Sequence, residues 1–139
     1  MVEKTFLLEV PDSFQTIREG DSLQCVSREP AGVIVLTSEE VTDTDSLPSL
    51  SRMLAGFLTR SGHPVATDEL LRVSSVPGCH GFSWQYCEGG NYHRFWLFGN
   101  ESAWLLLTFV CPEAERASFQ DVLSEVVNSI RLRSDGSDS

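Results

Sequence analysis

The chain is short of basic residues, and lysine is nearly absent from it. Ten basic residues stand against twenty acidic ones, which leaves a formal net charge of −10, and Lys4 is the single lysine. Proteins that bind nucleic acid or anionic lipid neutralise phosphates with Lys and Arg, so this balance argues against both kinds of partner. We therefore expect an acidic protein that does not bind nucleic acid.

Long hydrophobic segments are also missing. The longest apolar run, Ala103–Leu107, is far too short to cross a bilayer, and the first nine residues lack the apolar core of a signal peptide. We expect a cytoplasmic protein without membrane insertion, in which thiols normally stay reduced. The cysteines predicted to be free thiols are Cys25, Cys79, Cys87 and Cys111.

Recognisable catalytic motifs are a third absence. No Gly-x-Ser-x-Gly elbow occurs, and Gly89-Gly90 lies between two predicted strands rather than at a helix start, so it is not a phosphate-binding loop. The acidic residues between Glu39 and Asp45 lie in a polar segment, which is typical of a solvated connection. We predict no catalytic residue, no metal and no cofactor.

The apolar pattern predicts one α+β domain over residues 1–133, followed by a disordered tail at 134–139. Helices are predicted over Leu47–Leu58, capped by Asp45 or Ser46, and from Pro112 to Ile130. The predicted strands are Lys4–Val10, Ser22–Arg28, Gly32–Thr37, Leu70–Val76, His80–Cys87, Tyr92–Phe98 and Ala103–Val110. The run Val33 to Leu36 is continuously apolar, which predicts protein on both sides of its strand.

The last three strands form a predicted meander whose register can be derived. If Gly89-Gly90 is a two-residue turn, Glu88 lies opposite Asn91, and a second such turn is predicted at Asn100-Glu101. One face then carries Phe82, Trp84, Tyr86, His93, Phe95, Leu97, Trp104, Leu106, Thr108 and Val110. The other carries Gln85, Cys87, Tyr92, Arg94, Trp96, Phe98, Ala103, Leu105, Leu107 and Phe109. Both faces are apolar, which predicts a central antiparallel sheet with helices on both faces, an α/β/α sandwich.

Three features of this order resemble the PsbP/Mog/DcrB-like superfamily. They are an opening strand that ends at Pro11-Asp12 with Phe14 close behind, an aromatic meander, and a final helix that ends Val126-Val127-Asn128-Ser129-Ile130. The resemblance covers nearly all of residues 4 to 133 and implies a central antiparallel sheet between helices.

The resemblance also implies a role without catalysis. The superfamily includes photosystem assembly proteins, Ran-binding proteins and DcrB-like chaperones that cradle hydrophobic segments of secreted effectors. Its photosystem and DcrB lipoprotein members carry targeting sequences, and the absence of one here argues against those two roles. No individual binding residue is carried over. We expect a non-catalytic binding or chaperone-like module for a protein or peptide, with a secreted effector as one candidate partner.

The predicted binding surface lies on the meander. Tyr92, Arg94, Trp96 and Phe98 share a face and combine aromatic rings with an arginine, which is the composition of interaction hot spots. Arg94 can pair with an acidic group or stack on a neighbouring ring. The alternative is that this face packs beneath the helix Leu47–Leu58, with Arg94 extending to the rim.

Two other functions stay open. A thiol- or metal-dependent enzyme would use Cys79, His80, Cys87 and His93, although no close Cys-x-x-Cys pair occurs and the register places Cys87 and His93 on opposite faces. A homo-oligomeric structural component is the second alternative, since both a monomer and a homodimer fit the composition.

Overall fold

A seven-stranded antiparallel sheet dominates the computed structural model, which describes residues 2–3, 6–41 and 49–132. Its strands are β3 (Gln15–Glu19), β4 (Ser22–Arg28), β5 (Ala31–Glu40), β6 (Leu71–Arg72), β7 (His80–Glu88), β8 (Asn91–Gly99) and β9 (Ala103–Pro112). They lie in the order β3-β4-β5-β9-β8-β7-β6. Two helices, α1 (Leu50–Arg60) and α2 (Arg116–Ser129), pack on the sheet. The predicted α+β class is confirmed.

Three short strands form a second, small sheet. They are β1 (Val2–Glu3), β2 (Phe6–Leu7) and β10 (Arg131–Leu132), in the order β1-β2-β10. Short 3-10 helices span Thr67–Glu69 and Glu113–Glu115. Because β10 follows α2 directly, the small sheet ties the N-terminal strands to the end of that helix.

The turn at Gly89-Gly90 sets the register of the meander. Both glycines have positive φ angles, 61° and 82°, which a two-residue hairpin turn requires and which side chains disfavour. Glu88 lies opposite Asn91, and the pairing continues to His80 opposite Gly99. The predicted register of β7 and β8 is confirmed.

The turn between β8 and β9 is longer than the predicted two residues at Asn100-Glu101, so that prediction is wrong. Gly99 lies opposite Trp104, and the Asn100 Oδ1 atom accepts hydrogen bonds from the backbone N–H groups of Ser102 and Ala103 at 2.8 and 3.1 Å. Asparagine commonly closes a turn in this way. Because the register moves by two residues, every side chain stays on its predicted face.

One face of the large sheet, here called the α2 face, is fully covered. Phe119, Leu123 and Val126 of α2 are buried against it, and the N-terminal segment adds Phe6 and Leu8 to the same core. The strand residues buried on this face include Leu23, Cys25, Ile34, Leu36, Tyr92, Trp96, Phe98, Leu105, Leu107, Phe109 and Cys111. A helix, the small sheet and a connecting segment together close it.

The other face, here called the α1 face, carries α1 over β7 and β8. Leu54 and Leu58 are buried against Phe95 and Leu97 of β8. Ser49 caps the helix, since its side chain accepts from the backbone N–H of Arg52 at 3.3 Å. The predicted start at Leu47 and the predicted caps Asp45 and Ser46 lie outside the described residues.

The predicted strands differ from the structure mainly in three places. In the predicted strand 4–10 only Phe6–Leu7 pairs among the described residues, and in 70–76 only Leu71–Arg72 pairs. Strand β3 was not predicted, because its five residues QTIRE are all exposed and show no apolar alternation. The predicted tail at 134–139 lies outside the described residues.

Candidate functional site

The predicted binding surface lies beneath α2. The side chains of Tyr92, Trp96 and Phe98 are only 3%, 3% and 0% exposed. The expectation that the helix 47–58 covers this face is wrong, because α1 packs on the alternate residues of the same strand, Phe95 and Leu97. In the folded monomer these three aromatic rings contribute to the core rather than to an accessible surface.

Arg94 is the member of this group that reaches solvent. Its guanidinium carbon lies 4.4 Å from the centre of the Trp96 ring, and the residue is partly exposed. Of the two contacts predicted for Arg94, the structure shows stacking on a neighbouring ring, at the edge of the surface that α2 covers.

The structure separates the residues of the enzyme hypothesis. Cys79 and His80 lie at the start of β7, whereas Cys87 and His93 lie near the hairpin at its other end, on opposite faces. No group of three or more His, Cys, Asp or Glu side chains suited to a metal ion occurs in residues 2–3, 6–41 and 49–132. Burial raises the pKa of the Cys79 thiol, which disfavours the reactive thiolate.

A partly exposed apolar surface lies on the α1 face, along the centre of the sheet. Val33 and Val35 of β5 are paired with Val110 and Thr108 of β9, and all four side chains are partly exposed. Their neighbours along the strands, such as Ile34, point to the other face and are fully buried. The two central strands thus present valine side chains to solvent on one side only.

These four residues form the floor of what we call the valine groove. Phe57, Arg60 and Ser61, at the end of α1, line its wall, and the cavity measures about 430 Å³. The Arg60 guanidinium carbon lies 4.8 Å from the centre of the Phe57 ring, which places a positive charge at the rim. The groove therefore combines an apolar floor with a cation at its edge.

The size of α1 explains why the groove is open. A helix is about 10 Å wide, whereas neighbouring strands lie about 4.8 Å apart, so one helix covers about two strands. α1 lies over β7 and β8, at one side of the sheet. It also contacts β9 through Phe57, whose ring centre lies 6.1 Å from that of Trp104. It does not extend over the middle of the sheet, where Val33, Val35, Thr108 and Val110 stay partly exposed.

A stack of rings borders the groove at the β7–β8 hairpin. The Tyr86 ring centre lies 3.7 Å from that of His63 and 4.8 Å from that of His93. His63 Nε2 lies 3.0 Å from the Glu88 Oε1 atom. Burial, and then the charge of Glu88, raises the pKa of Tyr86. This end of the α1 face is fixed by stacking, unlike the valine groove.

Sequence reasoning missed the groove because it expected Val33 to Leu36 to have protein on both sides. That expectation is wrong for Val33 and Val35, which are partly exposed. A continuous apolar run does not distinguish a fully covered strand from one whose second face binds a partner. The groove could have been predicted from widths: one helix of three turns is too narrow to cover a whole face of a wide sheet, and both faces of this sheet are apolar.

Comparison with known proteins defines the fold and nothing finer. No protein-family model matches the chain, and no curated protein matches it. Solved structures with a similar fold exist. One of them, a protein from Bacteroides thetaiotaomicron, superposes with a TM-score of 0.62 at 14% sequence identity, and the match covers 96% of this chain and 47% of that chain. The chain thus spans about half the length of that protein.

A second solved structure is similar to most of the chain. It is LpqN, described as involved in cell envelope biogenesis of Mycobacterium tuberculosis, with a TM-score of 0.59 at 11% identity and coverage of 92% of this chain and 83% of that chain. At such identities the likeness concerns the fold alone. None of the described helices is long and apolar enough to span a membrane.

Proposed function

We propose that this chain is a non-catalytic, chaperone-like binding module that accepts an apolar segment of a protein or peptide in the valine groove. The observation that carries the proposal is the partial exposure of Val33, Val35, Thr108 and Val110 at the centre of the sheet. Central strands of a sheet with two apolar faces are normally covered on both, and exposed apolar patches commonly mark interaction sites.

The chemistry of the groove favours an amphipathic occupant. Apolar side chains of the partner would contact the valines and the edge of Phe57, while a carboxylate or carbonyl group of the partner would face Arg60 at the rim. Basic side chains on the outer side of the partner would be attracted by the net charge of −10. The preferred segment is therefore apolar on one side and mainly basic on the other.

Binding rather than catalysis is favoured by the arrangement of the reactive side chains. The thiols and imidazoles of the enzyme hypothesis lie at opposite ends of the hairpin formed by β7 and β8 and on both of its faces, and Cys25 and Cys111 are buried. The proposal places the partner in the cytoplasm, and the module acts as a monomer or a homodimer.

A charge placed in the valine groove tests the proposal. The probe is a fluorescently labelled amphipathic peptide of Leu and Lys, with a scrambled peptide of the same composition to remove the contribution of charge. We expect the amphipathic peptide to bind more tightly than the scrambled one, as measured by fluorescence anisotropy at moderate salt. Val33→Glu should weaken this binding by about tenfold or more, because it places an unpaired carboxylate against the apolar groups of the peptide. A tenfold change in affinity corresponds to about 1.4 kcal/mol.

The matched control is Gln15→Glu. Gln15 and Val33 belong to one cross-strand row, since both lie opposite Val26 of β4, and the row continues to Val110. Gln15 is at the edge strand β3, where its side chain is exposed. Gln15→Glu adds the same negative charge on the same face of the sheet but outside the groove, so the affinity for the amphipathic peptide should be unchanged. Equal affinity of Val33→Glu and the unmodified protein, with both folded by circular dichroism, would contradict the proposal.

A further inference from the structure

A second pocket lies on the opposite side of the sheet, where the start of α2 crosses β7 and β8. It measures about 520 Å³ and we call it the arginine pocket. Its polar lining consists of Gln85, Tyr92, Arg94, Glu113, Arg116 and Gln120. It lies on the α2 side of the sheet and does not share a residue with the valine groove.

Two arginines reach this pocket with their guanidinium planes already held. Arg94 stacks on Trp96 and Arg116 stacks on Tyr92, each with its guanidinium carbon 4.4 Å from the ring centre. Stacking occupies the face of a guanidinium and leaves the N–H donors at its edge for a planar acceptor. Both aromatic partners are 3% exposed, so the stacks rest on rigid parts of the core.

Most N–H donors of these two arginines have no acceptor among residues 2–3, 6–41 and 49–132. Arg116 Nη2 donates to the Gln85 Oε1 atom at 3.4 Å, and the same oxygen accepts from the Tyr92 hydroxyl at 2.5 Å. Neither arginine forms an ion pair within the described ranges, although Glu113 lines the same pocket. Two positive charges thus share one pocket in a protein of net charge −10, and neither is ion-paired with a carboxylate of the described residues.

A neighbouring cavity adds a second polar feature. Arg94 also lines a cavity of about 150 Å³ together with Ser75, Ser124 and Asn128. The Ser75 Oγ atom is buried and has no hydrogen-bond partner within the part of the chain that the structure describes. A buried hydroxyl without a partner indicates room for a polar occupant beside Arg94.

We propose that Arg94 and Arg116 form a binding site for a carboxylate. Two guanidinium edges match a planar oxyanion, and the amides of Gln85 and Gln120 can contact the rest of the ligand. Glu113 and the overall negative charge favour a singly charged carboxylate over phosphate. The carboxylate belongs either to a free organic acid or to the C-terminus of a peptide.

Nuclear magnetic resonance titration of the whole chain distinguishes these sources. The probes are sodium propionate, the peptide acetyl-Ala-Ala-Leu with a free carboxyl terminus, its C-terminal amide, and sodium phosphate. We expect the Nε–H signals of Arg94 and Arg116 and the amide signals of Gln85 to shift with a carboxylate probe and not with the peptide amide. A shift with propionate alone identifies a free acid, and a shift with the peptide acid alone identifies a chain terminus.

Substitutions then separate the site from general charge. Arg94→Gln and Arg116→Gln should each weaken carboxylate binding by about tenfold or more, because each removes charge-assisted hydrogen bonds. Arg94→Lys keeps the charge but loses the planar edge, and we expect an intermediate loss. The matched control is Arg72→Gln, which removes another ring-stacked arginine, 5.7 Å from the Phe82 ring centre, and should leave affinity unchanged.

Three results would overturn the carboxylate site. They are the absence of any shift at the pocket residues with both carboxylate probes, a tighter binding of phosphate, and an equal loss of affinity in Arg72→Gln. Since Val33→Glu changes the other side of the sheet, it should leave carboxylate binding unchanged, so failure of this site and failure of the valine groove are distinguishable.

Discussion

The two faces of the large sheet are built from the same strands but are packed differently. On the α2 face, a helix, the small sheet and the segment with Phe14 bury nearly every side chain of β4, β5, β8 and β9. On the α1 face, a helix of 11 residues covers β7 and β8 and leaves the valines of β5 partly exposed. The α2 face therefore supplies most of the buried core, whereas the α1 face leaves part of its apolar surface accessible to solvent.

The sharpest test of this comparison uses adjacent residues of β5. Ile34 is 0% exposed on the α2 face, so Ile34→Ala should lower the free energy of unfolding by about 2–5 kcal/mol through the cavity it leaves. Val35→Ala, one residue along and partly exposed on the α1 face, should cost less than about 1 kcal/mol. Urea denaturation of both variants measures the difference. Equal losses would mean that the two faces are packed alike.

Two glycine substitutions should give effects of opposite sign. A Cβ atom at Gly32 would lie 2.7 Å from the Phe119 Cζ atom of α2, so Gly32→Ala should destabilise the protein by about 1–3 kcal/mol through overpacking. A Cβ atom at Gly56 of α1 would meet only the end of Arg60, at 3.6 Å. Gly56→Ala should stabilise the protein by about 0.5–1 kcal/mol through helix propensity. Thermal unfolding measures both, and a neutral Gly32→Ala would show that α2 lies less tightly on the sheet.

The smallest expected effect concerns Tyr86 at the hairpin end of the α1 face. Burial, and then Glu88, raises its pKa above the ordinary value of 10.0, so the phenolate is disfavoured in the folded state. A raised folded-state pKa gives stability that is complete below pH 10.0 and is lost as the pH rises through the raised value. The unmodified protein should therefore lose more stability above this pH than Tyr86→Phe does.

Cysteine ionisation does not obscure that comparison. Burial raises the pKa of Cys79, and burial and Glu115 raise that of Cys111, so both thiols also reduce stability at alkaline pH. Both are present in the two proteins compared, and only the difference between the curves reports on Tyr86. Parallel curves of the unfolding midpoint against pH would show that the hydroxyl is as well solvated in the folded state as in the unfolded chain.

Local patterns were sufficient to predict the meander. The Gly89-Gly90 turn fixes one register, and alternation then assigns each side chain of β7, β8 and β9 to a face, as the structure confirms. Helix α2 was predicted from its apolar period and begins four residues later than Pro112, after a short 3-10 helix. These features depend on neighbours in sequence, which is why the sequence predicts them.

The assignment of helices to faces could not be predicted in the same way. Both faces of the meander are apolar, so Tyr92 and Trp96 could have packed beneath either helix, and only the connections decide that α2 covers them. The arginine pocket follows from that choice, since Arg116 of α2 meets Gln85 and Tyr92 of distant strands. Strand β3 was not predicted because backbone pairing with β4 holds it in place. Its side chains are all exposed and show no pattern that indicates this pairing.

The glycine turn at 89–90 also limits how the length of this protein can change. If the two-residue turn is kept, one residue inserted before His93 would send the later side chains of β8 to the opposite face and place Arg94 towards α1, with His93 in its former position. Two inserted residues would lengthen the hairpin and keep both faces, as the longer turn after Gly99 illustrates. Changes of length in this hairpin that keep the glycine turn should therefore preserve both faces only in even numbers of residues.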